Sequence, residues 1–263
     1  MSNGGARMGS VPRFKLTIEY AGTRYSGWQI QKNAKTIQGE IDRAVRAVTR
    51  RRDFELYGAG RTDAGVHAAA QVAHLDVSTT LPAGTLRLRL NEALPADINI
   101  LAADPVPHRF HARYDAVARR YLYQLARRRT AFAKPFVWWV KESLDLARMR
   151  EAASTLVGMQ DFARFAERDA DEGDAPERST MVLVERFEIV EEGALVLVMV
   201  EGSHFLWKMV RRLVGALVEA GRGQPMPDDP ARFTAPPSGL FLERVFYANE
   251  PRDLAIRAVT PCR

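Results

Sequence analysis

Residues 57–68 read YGAGRTDAGVHA and set Arg61, Thr62 and Asp63 between Gly60 and Gly65, just after a short apolar segment. A loop so poor in bulk suits a tight turn, a phosphate cradle or the mount for a reactive carboxylate. A dinucleotide fingerprint would want glycine where Asp63 stands, and a carboxylate there repels a pyrophosphate. The other common phosphate loop fails too, because Val66-His67 replaces Lys-Ser/Thr after the second glycine. His108 and His111 are three apart, but no set of Cys, His and carboxylates completes a metal site. No serine sits in a nucleophile-elbow context. Asp63 is left as the candidate. An ordinary aspartate is ionised at neutral pH and needs no base to act as a nucleophile. Such a group suits attack at an electron-poor carbon, for example a glycosidic centre or C6 of a uracil ring. Arg61 could meet a phosphate or wedge into a stack. The same residues also allow a plain turn in which Asp63 accepts backbone N–H bonds.

Several elements must position this loop. FKLTIEY (14–20) alternates apolar and polar residues at strand period. Thr36 opens a helical pattern with Ile37, Ile41, Val45 and Val48 on one face, followed by arginines that suit a helix C-terminus. FELYG (54–58) and QVAHLDV (71–77) read as strands, 81–94 as a helix, and DINILAADPV (97–106) as a closing strand. The order then begins again. ARRYLYQLARR (118–128) is a strand, and 143–158 a helix ended by Gly158. The segments 181–190 and 194–202 read as strands joined by a turn, 205–221 as a helix, and 239–247 as a final strand. The fold class is α+β. A leader spans 1–12, an N-terminal half carrying the Asp63 loop spans 13–107, and a C-terminal half spans 108–263. The polar run 167–179 is expected to be a mobile surface loop.

The totals limit the partners. The 263 residues carry a net charge of +6, which favours a polyanion. Cys262 is the single cysteine, so no disulfide can form within the chain. No signal peptide or membrane-length apolar run is present, and the expected setting is the cytoplasm.

YGAGRTDAGVHA closely resembles the signature of the tRNA pseudouridine synthase A family. Four further stretches resemble that family in the same order: YAGTRYSGWQIQKNAKTIQGEI (20–41), FHARYDAVARRYLYQL (110–125), SHFLWKMVRRLVGALVEAGRG (203–223) and APPSGLFLERVFY (235–247). The resemblance implies two similar ferredoxin/RRM-like halves, with antiparallel sheets joined into one extended sheet and an active cleft between them. It implies isomerisation of uridine to pseudouridine at tRNA positions 38 to 40 in the anticodon stem-loop, with the target base flipped out. Asp63 matches the nucleophile, attacking either C6 of the base or C1′ of the ribose. Tyr121 matches an active-site tyrosine that stacks on uracil and could take the C5 proton. Arg211 matches the arginine paired with the carboxylate, and Arg61 would fill the vacated stack or hold the backbone. No cofactor and no metal are implied, the partners are tRNA and a second copy of the chain, and no membrane is involved. Arg24, Lys32, Lys35, Arg113, Arg119, Arg120 and 127–129 are candidates for the tRNA track. Gln160 stands where the family usually has histidine, which bears on loop contacts rather than on the chemistry.

Overall fold

The computed structural model describes residues 11–167 and 179–262. The expected leader therefore falls almost wholly outside the described residues, as does all but the ends of the polar run 167–179.

Strand β1 (Arg13–Tyr20) buries every second residue, as its alternation requires. Helix α1 (Ile37–Thr49) starts at Thr36, whose hydroxyl accepts from the Gly39 N–H, and it buries Ile37, Ile41, Ala44 and Val45. Strands β2 (Glu55–Gly58) and β3 (His67–Asp76), helix α2 (Ala83–Ala93) and strand β4 (Ile98–Val106) complete the first half. The second contains β5 (Ala116–Ala126), β6 (Trp138–Trp139), α3 (Leu146–Ser154), β7 (Gly158–Asp161), β8 (Met181–Glu192), β9 (Leu195–Gly202), α4 (Met209–Gly221) and β10 (Leu240–Tyr247).

All ten strands form one sheet with the path β4-β1-β3-β10-β5-β9-β8-β7; β2 pairs with β3, and β6 with β5. The two antiparallel portions meet where β10 runs parallel to β3, through Phe241 beside His67 and Leu242 beside Ala68. Alternate residues of β5 and β9 divide between two cores. Tyr123, Leu125, Val196, Val198 and Val200 pack under α4, while Leu122, Ala126, Leu195, Leu197 and Met199 pack with Ile256, Val259 and Cys262 of the C-terminal segment. That covering segment went unnoticed in the sequence. Tyr121 touches both the α1/α2 core and the α3/α4 core, so it marks the seam between them.

Three expectations about the elements change. Gly158 opens β7 rather than ending α3, which stops at Ser154. β3 begins at His67, four residues before the expected start, because Ala68, Ala69 and Ala70 hide the strand period. α4 begins at Met209 rather than at 205, because Lys208 takes a left-handed conformation (φ 58°) that a continuing helix forbids. Within α4, a β-carbon on Gly215 would lie 1.6 Å from the carbonyl oxygen of Phe233. Glycine there lets the 233–235 segment close against the helix beside Arg211.

Candidate active site

The Asp63 loop is a tight turn leading into β3. The Val66 N–H donates to the Asp63 carbonyl at 3.1 Å, and Gly65 supplies the positive φ (79°) that such a turn requires. Buried Thr62 shares a hydrogen bond with the Tyr20 hydroxyl at 2.8 Å, and the Trp28 N–H donates to the Thr62 carbonyl at 3.0 Å. His67 closes the far end. Its Nδ1 accepts from the Gly22 N–H at 3.0 Å, so Nε2 carries the proton and donates to the Pro135 carbonyl at 3.0 Å. Burial lowers its pKa and keeps the ring neutral.

The turn is real, but the carboxylate does not serve it. Asp63 Oδ2 accepts from Arg211 Nη1 at 3.1 Å, and Oδ1 accepts from the Trp207 indole N–H at 3.1 Å. Both donors come from the second half of the chain. Arg211 is aimed by a second bond, from Nε to the Ala235 carbonyl at 2.7 Å. The Ala235 N–H in turn donates to the Arg211 carbonyl at 3.1 Å. Partial burial leaves 14% of the Arg211 side chain and 20% of Asp63 exposed, so the pair is shielded yet reachable.

Asp63 and Arg211 line an open cavity of about 1730 Å³, together with Arg61, Arg119, Tyr121 and Trp207. That exceeds the roughly 300–1,000 Å³ typical of small-molecule pockets. Tyr121 is half-buried, with its ring edge-on to Phe205 at 5.2 Å. Burial pushes its hydroxyl up to about 12; Arg119 opposes that rise and the Asp63 charge adds to it. Arg61 is exposed on the cavity rim. Neither Arg61 nor Arg113 forms an ion pair among the described residues, so both leave positive charge facing the opening. A β-carbon on Gly60 would meet nothing within 4 Å, so the loop leaves space where Gly60 faces the cavity.

Other basic residues of the expected RNA track have different duties. Arg119 donates to the carbonyls of Ala59 (3.2 Å), Arg113 (2.8 Å), Ala116 (3.1 Å) and Ser203 (2.7 Å), tying the base of the Asp63 loop to the end of β9. Arg120 is wholly buried and paired with Glu201 at 2.7 Å, so it cannot meet a phosphate. Arg127 is exposed but engaged by Glu191 at 2.6 Å. Arg24, Lys32, Lys35, Arg128 and Arg129 are exposed. Gln160 donates to the carbonyls of Thr155 and Val157, both at 2.9 Å, and so braces the turn between α3 and β7.

The residue that sequence reasoning missed is Trp207. It stood out only as a neighbour on the flank of an assumed helix, and nothing in its spacing pointed toward Asp63. No group of three or more His, Cys, Asp or Glu that could hold a metal occurs among the described residues. No helix among them is long and apolar enough to cross a membrane.

Fold and site together define an α+β protein whose carboxylate–arginine pair stands on the wall of a large cavity rimmed with positive charge. The sequence model of a family described as tRNA pseudouridine synthase matches residues 16–115 and 152–248, and the chain belongs to that family. It is 39% identical over 251 residues to tRNA pseudouridine synthase A of Rhodopseudomonas palustris strain BisA53, covering 90% of this chain and all of the relative. A Sinorhizobium fredii protein of the same name is 39% identical over 253 residues, again covering 90% of this chain and all of the relative. The Protochlamydia amoebophila protein named tRNA pseudouridine synthase A 1 is 38% identical over 250 residues, with 90% of this chain and 97% of the relative covered.

Proposed function

We propose that this protein converts uridine to pseudouridine in the anticodon stem-loop of tRNA, at positions 38 to 40, with Asp63 as the nucleophile. Membership of the family makes it an isomerase that acts as a pseudouridine synthase on tRNA. The observation that carries the choice of Asp63 is its pairing with Arg211, which holds the carboxylate on the wall of a cavity open enough for a flipped nucleotide.

The reaction breaks the N1–C1′ bond, turns the base, joins C5 to C1′ and releases the C5 proton, while N1 gains a proton. Asp63 adds to C6 of the base or to C1′ of the ribose, and both routes give the same product. Arg211 aims the carboxylate through a charge-assisted hydrogen bond. Tyr121, on β5 at the seam, offers a ring face to the uracil and a hydroxyl to the C5 proton. With its pKa pushed up to about 12, that hydroxyl is a phenol at neutral pH, so it must ionise before it can accept a proton. Unstacking the target costs on the order of a few kcal/mol, which RNA contacts along the rim offset. Arg61, exposed there without an acidic partner among the described residues, is placed to enter the vacated stack. The working form is a cytoplasmic homodimer in which one tRNA touches both copies.

Mapping pseudouridines in tRNA from cells with and without the gene tests the assignment. Loss confined to positions 38 to 40 is expected. Unchanged modification there would overturn the anticodon assignment even if the enzyme proved active on other uridines. Sedimentation of the protein with and without tRNA tests the dimer.

A further inference from the structure

The geometry points to Trp207 as a positioning residue for the reaction: its indole N–H fixes the plane of the Asp63 carboxylate, so that the oxygen lone pairs left free face the cavity. This rests on Asp63 being the reacting group. A carboxylate held through one oxygen can still swing about its Cβ–Cγ bond. Held through both oxygens by two donors, it cannot turn without breaking a hydrogen bond. Arg211 occupies Oδ2 and Trp207 occupies Oδ1, each at 3.1 Å. Each oxygen keeps a second lone pair. The two donors differ in kind. Arg211 brings a charge, whereas the indole N–H is neutral, never accepts and does not titrate. Trp207 therefore aims the nucleophile without neutralising it.

The surroundings show that this orientation is built. Lys208 sits at φ 58°, a conformation uncommon for a residue with a side chain, and this turn separates Trp207, whose indole reaches Asp63, from the start of α4. The Lys208 ammonium lies 4.9 Å from the centre of the indole ring and 2.7 Å from a carboxylate oxygen of Glu167. The other Glu167 oxygen is held by Arg212, and the Glu167 N–H donates to the Trp207 carbonyl at 3.0 Å. Trp207 is thus gripped at its backbone, at its ring and at its N–H. The residue is 44% exposed, so packing holds part of the ring while the hydrogen bond to Asp63 fixes where its N–H points.

Trp207→Phe keeps a smaller aromatic ring under Lys208 and removes the donor, and Trp207→Ala removes both ring and donor. In single-turnover assays on tRNA transcripts, both variants should lose about tenfold in rate, the effect of one hydrogen bond to a carboxylate. RNA affinity measured by filter binding should stay within about twofold of wild type, and the thermal midpoint should not move for Trp207→Phe. A wild-type rate for Trp207→Phe overturns the inference. So does a loss that weakened RNA affinity accounts for in full, which would make Trp207 a stacking contact instead. Asp63→Asn run in parallel separates the two levels. If that variant is active, the reading beneath the inference fails. If it is dead while Trp207→Phe is fully active, only the inference fails.

Discussion

Replacing Arg211 by methionine removes the one charge that touches Asp63 among the described residues while keeping much of the side chain's length. At 3.1 Å and an effective dielectric constant near 20, the attraction between the two groups is about 5 kcal/mol. Desolvation offsets much of that, and the cavity lets water reach a carboxylate that keeps 20% of its exposure. The net stake in folding is therefore ~1–2 kcal/mol, below the roughly 3–5 kcal/mol of breaking a fully buried pair. In catalysis the loss is larger, because the carboxylate loses both its partner and its aim. A change of ~2–3 kcal/mol in transition-state stabilisation corresponds to a rate loss of roughly 30- to 150-fold. Arg211→Lys should recover part of the rate, since a point charge can reach Oδ2 but cannot also make the 2.7 Å bond to the Ala235 carbonyl in the same fork geometry. Single-turnover release of tritium from C5-labelled tRNA measures the rates, and urea denaturation of Arg211→Met, Asp63→Asn and the double variant measures the coupling. An Arg211→Met rate within threefold of wild type, or a coupling energy near zero, would refute the reasoning.

In the proposed mechanism the Tyr121 hydroxyl, raised to about 12, must ionise to take the C5 proton, so the ionised fraction below that value grows tenfold per pH unit. Where proton removal limits the reaction, the single-turnover rate should rise steeply between pH 7 and 9. Tyr121→Phe should abolish that slope; a flat wild-type profile excludes the phenol as the limiting base. Arg120, buried against Glu201 and bonded to the carbonyls of Arg252 and Leu254, should behave as a structural residue. Arg120→Met should cost ~3 kcal/mol in urea denaturation, with tRNA affinity of the folded variant unchanged. A stable variant with weakened tRNA binding would return Arg120 to the RNA track.

The strands and helices were legible wherever burial follows a simple period. β1 shows it in its alternation, and α1 in its apolar stripe and Thr36 cap. The start of β3 was hidden because three successive alanines carry no pattern, and the start of α4 because backbone handedness at Lys208 leaves no mark in residue types. Arg211 and Asp63 stand 148 residues apart, so only resemblance to a family could pair them in advance. Trp207 had no such signal. Arg120 was misread because adjacent arginines on a strand point to opposite faces. Arg119 reaches the cavity wall, while Arg120 enters the ionic cluster beneath the C-terminal segment. The Asp63 loop itself carried two readings, a turn and a mount for a nucleophile. The structure shows the backbone making the turn while the carboxylate stays free of it, held by Arg211 and Trp207.

The central claim is that Asp63 forms the bond to the flipped uridine. Tritium release from C5-labelled tRNA by Asp63→Asn, with tRNA affinity measured on the same preparation, tests it most directly. The account predicts no release above background at wild-type affinity. Release at the wild-type rate would contradict it.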